Sequence, residues 1–516
     1  MTTVLKPTWP RLAWLAELSL TTDRLQLLHG PFVAVDPSAI PQWASACVWD
    51  GPFDDGAFHS TPHVFGTGIR STADGVHFVP SCTTVDRLIY VREPGRVVVS
   101  NSLPVLLGSI GARLSIEHDY AAFSESAGLG VNEYLRELRV EHPSHDHVFQ
   151  VLYDSLVVDR HGLAFRRRYH PHRFTHVAEY LSAISDIVGR MITNAGAAAR
   201  RRQTRVVTNA SRGYDSSAVS ALVASAGKAL CYSAAQSNTR IPKLLTRLMD
   251  VDVHNDDGTE IARRLGLSTK YLDPNVHSLP GDMERWLWAS GQLSPELIFW
   301  RMLHDAEASD ALTLWFSGHF GDGIWDTHPN PRVLAGYVTR SMPSGYSLAE
   351  ARIRYGLIDC SLPFLFAEDA AAIHALSLSE EMKPWRLDND YDRPIPRRIL
   401  EERGIPRDAF GFGKKAVAQD FDSPQGRDLS AEFYRTNGWT TLGAHAYRAV
   451  NLGIYLSQRS LAFAQARGVR SRMFQLQQNA SKNHLRRLGP TWDMRRQTFV
   501  HCVNTLATQF TRETSS

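Results

Sequence analysis

The feature that most constrains the fold of this chain lies between residues 205 and 226, where an apolar strand runs into a polar loop and then a helix. The strand predicted at Arg205–Asn209 ends just before Ser-Arg-Gly-Tyr-Asp-Ser-Ser at 211–217, and a helix of small residues is predicted over Ser216–Ala226. Such a unit points the N–H groups and positive dipole of a helix N-terminus at the loop, where they attract anions. The sequence therefore predicts an anion site at the end of one strand.

Each residue type in this loop has a chemical reason to lie near a phosphate. Gly213 lets the backbone approach closely, and the hydroxyls of Ser211, Ser216 and Ser217 can donate hydrogen bonds to phosphate oxygens. Asp215 would repel a bare phosphate, so its expected role is to hold Mg²⁺ against one. A plain helix cap, built from Asp215 and the serines, explains the same residues and stays open at this point.

A second glycine-containing segment follows another apolar strand further along the chain. The strand predicted at Ala311–Phe316 leads into Ser317-Gly-His-Phe-Gly-Asp-Gly-Ile-Trp-Asp326. Because open α/β sheets bind ligands at the carboxyl ends of their strands, both segments are expected at one edge of a parallel sheet. Asp322 would then face Asp215 across a metal ion. The alternative is a glycine-rich turn with no ligand.

The first loop resembles the Ser-Gly-Gly-X-Asp-Ser motif of the N-type ATP pyrophosphatases, the synthetase half of the asparagine synthetase family. Arg212 stands where the family has its first glycine. Its side chain either contacts pyrophosphate directly or prevents the loop at 211–217 from binding it. The resemblance implies ATP and Mg²⁺ as cofactors and implies that the loop binds the nucleotide through Ser211, Arg212, Gly213, Asp215, Ser216 and Ser217.

The second segment is similar to the family motif Ser-Gly-X-Gly-Gly-Asp-Glu. The resemblance implies that Asp215 and Asp322 are the metal ligands. Gly323 replaces the family's final glutamate, and His319 stands where asparagine synthetases carry a catalytic glutamate. A histidine can act as the general base toward an attacking amine, or it can simply pack beside the site. The matching nucleotide-contacting positions are Ser317, Gly318 and Gly321.

Two further segments are similar to parts of the same family. Lys414 follows a Pro-Arg stretch as the family's essential lysine does, with Lys415 beside it, although Phe412 replaces the usual arginine. Such a lysine would stabilise charge on the adenylate and pyrophosphate, whereas a solvated lysine pair is the plain alternative. The acidic start at Asp256 and Asp257 is typical of a helix N-terminus, and contact with the nucleotide is the open alternative.

The first third of the chain is rich in short β-type runs, with a hairpin turn predicted at 93–96. Residues 86–107 resemble the later part of a class II glutamine amidotransferase domain. That glutaminase needs a cysteine directly after the initiator methionine, and Thr2 stands there instead. The resemblance therefore implies a glutaminase-like domain that has lost its activity.

The resulting domain plan is a degenerate α+β Ntn-glutaminase-like domain over 1–175 and an asparagine-synthetase-like ATP-binding domain over 176–516. The second has a mostly parallel, Rossmann-like sheet and a helical C-terminal part, because strands and helices alternate from Ala178 onward. A chain of 516 residues exceeds one ordinary core, which agrees with two domains.

Composition excludes several classes of partner. The net charge of +3 gives no argument for nucleic acid, and no apolar stretch is long enough to span a membrane. The five cysteines form no CxxC pair, so neither a zinc site nor a disulfide framework is expected. We expect a cytoplasmic protein, and a homodimer stays open.

The expected activity is an ATP-dependent amide- or lactam-forming ligase, in the manner of β-lactam synthetases and lasso-peptide cyclases, in natural-product biosynthesis. Its partners would be small-molecule or peptide carboxylate and amine substrates, with the amine not taken from glutamine. A nucleotide-binding scaffold without catalysis, or an adenylating enzyme with another nucleophile, remain the alternatives.

Overall fold

A computed structural model describes residues 1–36, 42–200, 202–235, 256–273, 275–291, 296–339, 348–389, 391–411, 421, 423–440, 443, 446 and 493–511. These residues form a mixed α/β structure with three β-sheets. Two largely antiparallel sheets lie in the N-terminal part, and one wholly parallel sheet lies in the C-terminal part. The predicted mixture of sheet types is confirmed.

The N-terminal part contributes fourteen of the described strands. They are β1 (Thr2–Leu5), β2 (Trp14–Ser19), β3 (Leu25–His29), β4 (Ala34–Asp36), β5 (Trp43–Trp49), β6 (Val64–Thr72), β7 (Gly75–Val79), β8 (Leu88–Glu93), β9 (Arg96–Ser100), β10 (Arg113–Leu114), β11 (Glu137–Glu141), β12 (His147–Val151), β13 (Ser155–Asp159) and β14 (Gly162–Arg166). One sheet has the order β1-β3-β2-β9-β8-β12-β11-β10, and the other has the order β14-β13-β7-β6-β5-β4. Only the β1–β3 pair is parallel in the described ladders of these sheets.

The predicted hairpin is confirmed. β8 and β9 are antiparallel neighbours, with Glu93 opposite Arg96. Gly95 has a φ of +77°, which an L side chain rarely adopts, so glycine suits this tight turn.

The parallel sheet contains β15 (Thr204–Asn209), β16 (Leu230–Ser233), β17 (Ser268–Tyr271), β18 (Leu312–Ser317) and β19 (Leu357–Ser361). Its spatial order is β17-β16-β15-β18-β19, so the chain winds outward to one side of β15 and then to the other. The winding direction reverses between β15 and β18. A crevice forms at the carboxyl ends of strands beside such a reversal, and open α/β sheets bind ligands there.

The described helices lie in both parts of the chain. They are α1 (Leu103–Ile110), α2 (Tyr120–Ser126), α3 (Val177–Ala195), α4 (Asp215–Ala226), α5 (Thr259–Arg264), α6 (Gly281–Ser290), α7 (Trp300–Glu307), α8 (Gly321–Ile324), α9 (Pro331–Leu334), α10 (Ala349–Tyr355), α11 (Ala370–Ser377), α12 (Pro394–Glu401), α13 (Arg427–Thr436) and α14 (Met494–Ala507). Across the described parts of the chain, none of these helices has the length and apolar character that crossing a bilayer requires.

The longest of these helices shows how the sequence pattern sets the packing. Along α3, Tyr180, Ile184, Ile187, Val188 and Met191 are buried at helical spacing. They join the main hydrophobic core, which also includes residues of β15 and α4. This burial fixes α3 against the strand–loop–helix unit.

The N-terminal sheets and the parallel sheet meet across buried charged side chains. Arg352 of α10 lies 2.9 Å from Asp86, and Arg87 lies 3.2 Å from Glu350. Glu350 also accepts a hydrogen bond of 2.7 Å from the Ser102 hydroxyl. All five side chains are buried, so these polar contacts tie the two parts together where water is excluded.

Candidate active site

The loop at 211–217 is closed by its own hydroxyl groups. The N–H of Gly213 donates to Ser211 Oγ at 3.1 Å, and Ser211 Oγ lies 3.0 Å from Ser216 Oγ. Ser217 is fully buried, and its hydroxyl bonds to both the N–H and the carbonyl of Ser211. The N-cap residue of α4 is Tyr214, which makes no side-chain cap hydrogen bond, so the capping interpretation with Asp215 and the serines is wrong. Ser211, Gly213 and Ser216 instead line a cavity.

The second predicted segment packs directly against the first. A Cβ added at Gly318 would lie 2.7 Å from both the Asp215 carbonyl carbon and the Ser216 nitrogen. A Cβ added at Gly321 would lie 2.4 Å from Asp215 Cγ. Since real Cβ atoms do not approach other heavy atoms this closely, both glycines are required by the contact between the two loops. The structure therefore brings the two segments together, as predicted.

One cavity of about 210 Å³ lies at the carboxyl ends of β15 and β18. Predicted site residues from both loops line it, and aromatic rings from other elements form much of the remaining wall. The lining comprises Asn209, Ala210, Ser211, Gly213, Tyr214, Asp215, Ser216, Tyr232, Ala234, Leu272, Glu296, Phe299, Trp315, Ser317, Gly318, His319, Phe320, Asp322 and Tyr391. A concave site with a few converging polar groups is typical of a small-molecule pocket.

Asp215 forms an ion pair with Arg393, the residue just before α12. Arg393 also lies 3.4 Å from Asp326, and its side chain is 2% exposed. Burial alone would lower the pKa of Arg393, because it disfavours the charged guanidinium. The negative charges of Asp215 and, to a smaller extent, Asp322 outweigh burial, so the pKa of Arg393 is raised. Neither Arg393 nor Asp326 was predicted as a site residue from the sequence.

The carboxylates of the cavity fit a particular kind of metal site. Within the described part of the chain, no cluster of three or more His, Cys, Asp or Glu side chains is arranged to hold a metal ion. Asp215 and Asp322 both line the cavity. Mg²⁺ is commonly held by one or two carboxylates together with substrate phosphates and water. The donor set therefore fits a magnesium ion that is bound together with a phosphate group.

His319 belongs to a buried polar network that the sequence did not predict. Its Nδ1 lies 3.2 Å from Asp359 Oδ2 and 3.0 Å from Ser317 Oγ. Asp359 is fully buried and also accepts hydrogen bonds from the hydroxyls of Ser317 at 2.7 Å and Ser361 at 2.8 Å. An aspartate within the apolar strand β19 is the sequence signal that could have identified it.

The two partners shift each other's proton affinity. Burial favours neutral His319, but the Asp359 carboxylate outweighs burial and raises the pKa of His319 above its usual 6.5. Burial likewise opposes the charge of Asp359, but His319, Arg352 and the Ser317 hydroxyl lower the pKa of Asp359 to about 2. Glu296, which is 2% exposed and lines the cavity, also raises the pKa of His319.

The chain segment after α12 contacts the first loop. The N–H of Gly411 donates to the carbonyl of Arg212 at 2.8 Å, and the Arg212 N–H donates to Asp256 at 3.2 Å. Arg212 is thus fixed through its backbone. The predicted residues Lys414 and Lys415 lie outside the described residues.

The acidic residues Asp256 and Asp257 lie at the N-terminus of α5, as the sequence predicts, and Gly258 is the N-cap residue. Asp257 Oδ1 accepts a hydrogen bond of 2.9 Å from the N–H of Thr259, the first residue of α5. Gly266, with a φ of +72°, follows the last turn of this helix. Asp256 and Asp257 therefore have structural roles that connect α5 to the loop.

No protein-family model matches this chain, and no curated protein matches it. A functional interpretation consequently depends on the geometry of the two loops and on the resemblance of their sequences.

Proposed function

We propose that this chain is an AMP-forming carbon–nitrogen ligase that activates a substrate carboxylate with ATP and joins it to an amine. The observation that carries the proposal is the contact between the two loops. Gly318 and Gly321 lie against Asp215 at the carboxyl ends of adjacent parallel strands, and both loops line one cavity. Two segments that each resemble an ATP pyrophosphatase motif are thus neighbours in space.

In the first step, a substrate carboxylate oxygen attacks the α-phosphorus of ATP, and the bond from that phosphorus to pyrophosphate breaks. The hydroxyls of Ser211 and Ser216 and the N-terminus of α4 would hold the departing pyrophosphate. Asp215 and Asp322 would hold Mg²⁺, which supplies neutralisation of phosphate charge. The products of this step are an acyl-adenylate and pyrophosphate.

In the second step, the amine nitrogen attacks the acyl carbon, and AMP leaves with the electrons of the acyl–phosphate bond. His319 would take the proton that the amine loses. Its Nδ1 is directed to Asp359, which orients the ring so that Nε2 is the proton acceptor. Holding both substrates in one pocket supplies much of the rate.

The amine would not come from glutamine through this chain. Thr2 occupies the position of the glutaminase cysteine, and it begins the edge strand β1. The nucleophile is then free ammonia, a separate amine, or an amine of the same substrate molecule. The last case gives a lactam. Lys414 and Lys415 would stabilise the charge on AMP and pyrophosphate, a role that rests on the resemblance of their sequence context.

A nucleotide-binding scaffold is the second candidate. Two observations favour it: Arg212 replaces a glycine of the cradle, and Asp215 is ion-paired with Arg393 rather than open to a metal.

The decisive experiment is to incubate purified protein with ATP, Mg²⁺ and a panel of carboxylates and amines, and to measure AMP and pyrophosphate. We expect equal amounts of both products and their loss in Asp215→Ala. Asp310→Ala is the matched control, because Asp310 precedes the opposite end of β18 and its side chain is 97% exposed. Tight ATP binding by calorimetry without AMP from any substrate pair would instead support the scaffold.

A further inference from the structure

The position of Arg393 matters for how a metal ion enters the site. Its guanidinium is ion-paired with Asp215, and the charge of Asp322 also acts on it. These are the two carboxylates to which the proposed function assigns Mg²⁺. One cation of the protein itself therefore lies at Asp215, one of the two carboxylates that the metal would need.

We propose that Arg393 is a placeholder for the divalent cation, which neutralises Asp215 before nucleotide binds and makes cation binding depend on the nucleotide. The proposal rests on the proposed function, since it takes Asp215 as a metal ligand. The ion pair uses Asp215 Oδ2, and the guanidinium charge repels a cation that approaches this carboxylate. A cation alone must therefore compete with Arg393, and two carboxylates without phosphate oxygens are a weak set of ligands.

The guanidinium of Arg393 has other partners that can still bind it after its ion pair with Asp215 breaks. Asp326 Oδ2 lies 3.4 Å from its Nη2, and the ring of Tyr391 lies 5.1 Å from its guanidinium carbon. A small displacement from Asp215 thus does not leave a buried charge unpaired, which would be costly. The phosphate oxygens of ATP would add further acceptors, because a guanidinium binds phosphate well.

The backbone of Arg393 is held by the start of α12, which follows it directly. Pro394 follows it as the first residue of α12, where proline suits the fixed φ of a helix start. One turn later, Arg397 is buried and donates to the Tyr214 hydroxyl within the first loop. Arg397 therefore provides a matched comparison, since it is a buried arginine of α12 that contacts the same loop but pairs with Tyr214 and not with Asp215.

The test measures binding of Mn²⁺ alone, without nucleotide, by electron paramagnetic resonance of the full-length protein. We expect Arg393→Met to bind Mn²⁺ roughly tenfold more tightly than the unaltered protein, because the competing charge is removed. Arg397→Met should bind Mn²⁺ as weakly as the unaltered protein. In the double variant Asp215→Asn with Arg393→Met, the gain should disappear.

Equal Mn²⁺ affinity in the unaltered protein and Arg393→Met would overturn the proposal, and so would a gain that survives Asp215→Asn. Arg393→Met is expected to fold, because the Asp215 side chain is 23% exposed and can be hydrated through the cavity. Thermal unfolding checks this. Arg393→Gln serves as a second variant, because it is neutral yet can still donate to Asp215, and the same gain is expected.

The outcome is independent of turnover. If the protein forms no AMP but Arg393→Met gains Mn²⁺ affinity through Asp215, the placeholder stands and the ligase proposal fails. If AMP is formed but Arg393→Met shows no gain, the ligase proposal stands and the placeholder is wrong.

Discussion

Asp359 Oδ2 lies 3.2 Å from His319 Nδ1, so the third residue of β19 supports the histidine that follows β18. The two strands are parallel neighbours, with Ser317 directly opposite Ser361. This register places both serine hydroxyls on the same carboxylate. The sheet therefore fixes the orientation of the imidazole at the cavity, independently of any bound substrate.

The first prediction concerns the pH dependence of Asp359→Asn. A base accepts a proton only when neutral, so activity should rise as pH passes through the raised pKa of His319. Removing the carboxylate leaves burial as the main influence, which lowers that pKa, so the acidic limb of the kcat profile should move to lower pH. The maximal rate should fall at least about tenfold, because the ring loses its orienting partner.

Pyrophosphate release between about pH 5 and pH 9 measures this profile. Ser361→Ala is the control, since it removes one donor to Asp359 but keeps the carboxylate. An acidic limb that does not move in Asp359→Asn would show that His319 is not the titrating base.

The second prediction concerns Gly321→Ala. The added methyl carbon would lie 2.4 Å from Asp215 Cγ, so the two loops must separate or distort. We expect a loss of about 1–3 kcal/mol in the free energy of unfolding and a marked loss of AMP formation. Denaturant unfolding and product assays measure the two effects.

Gly189→Ala is the comparison for this variant. A Cβ at Gly189 would meet nothing within 4 Å, and the residue lies inside α3. Because alanine is the better helix former, this change should be neutral or stabilise by about 0.5–1 kcal/mol. If Gly321→Ala has the same stability and AMP formation as Gly189→Ala, the two loops do not approach each other as closely as described.

The third prediction concerns the buried pair between the two parts of the chain. Arg352→Met leaves Asp86 with its charge buried, and this should cost about 3–5 kcal/mol in the free energy of unfolding. Burial already raises the pKa of Asp86, and Arg352 opposes that rise. Adding Asp86→Asn removes the orphaned charge and should restore much of the loss. Urea titration of the two single variants and the double variant gives the interaction free energy between Arg352 and Asp86. If the two single losses simply add up in the double variant, the prediction is wrong.

The elements that carry local patterns could be predicted from the sequence. The strand before Ser211, the helix after it and the strand before Ser317 are confirmed to within one or two residues. In each of them, a continuous apolar run is bounded by polar residues. β17 was missed because its four residues are exposed, and β19 was missed because Asp359 interrupts its apolar run.

The partners of the site residues could not be predicted in the same way. Arg393 reaches Asp215 across 178 positions of sequence, and Asp359 reaches His319 across 40. Neither pair has a local spacing that indicates contact. They depend on which strands are neighbours and on where α12 begins, and these are properties of the folded chain.

The close contact at Gly318 and Gly321 has a consequence for recognising proteins of this kind. Both glycines are needed for the two loops to touch, whether or not a nucleotide is ever cleaved there. A variant without the proposed chemistry would still need both glycines, since replacing them would force the two loops apart. Their presence therefore indicates that the two loops touch and does not by itself indicate catalysis, for which His319, Asp322 and Asp359 are the more informative residues.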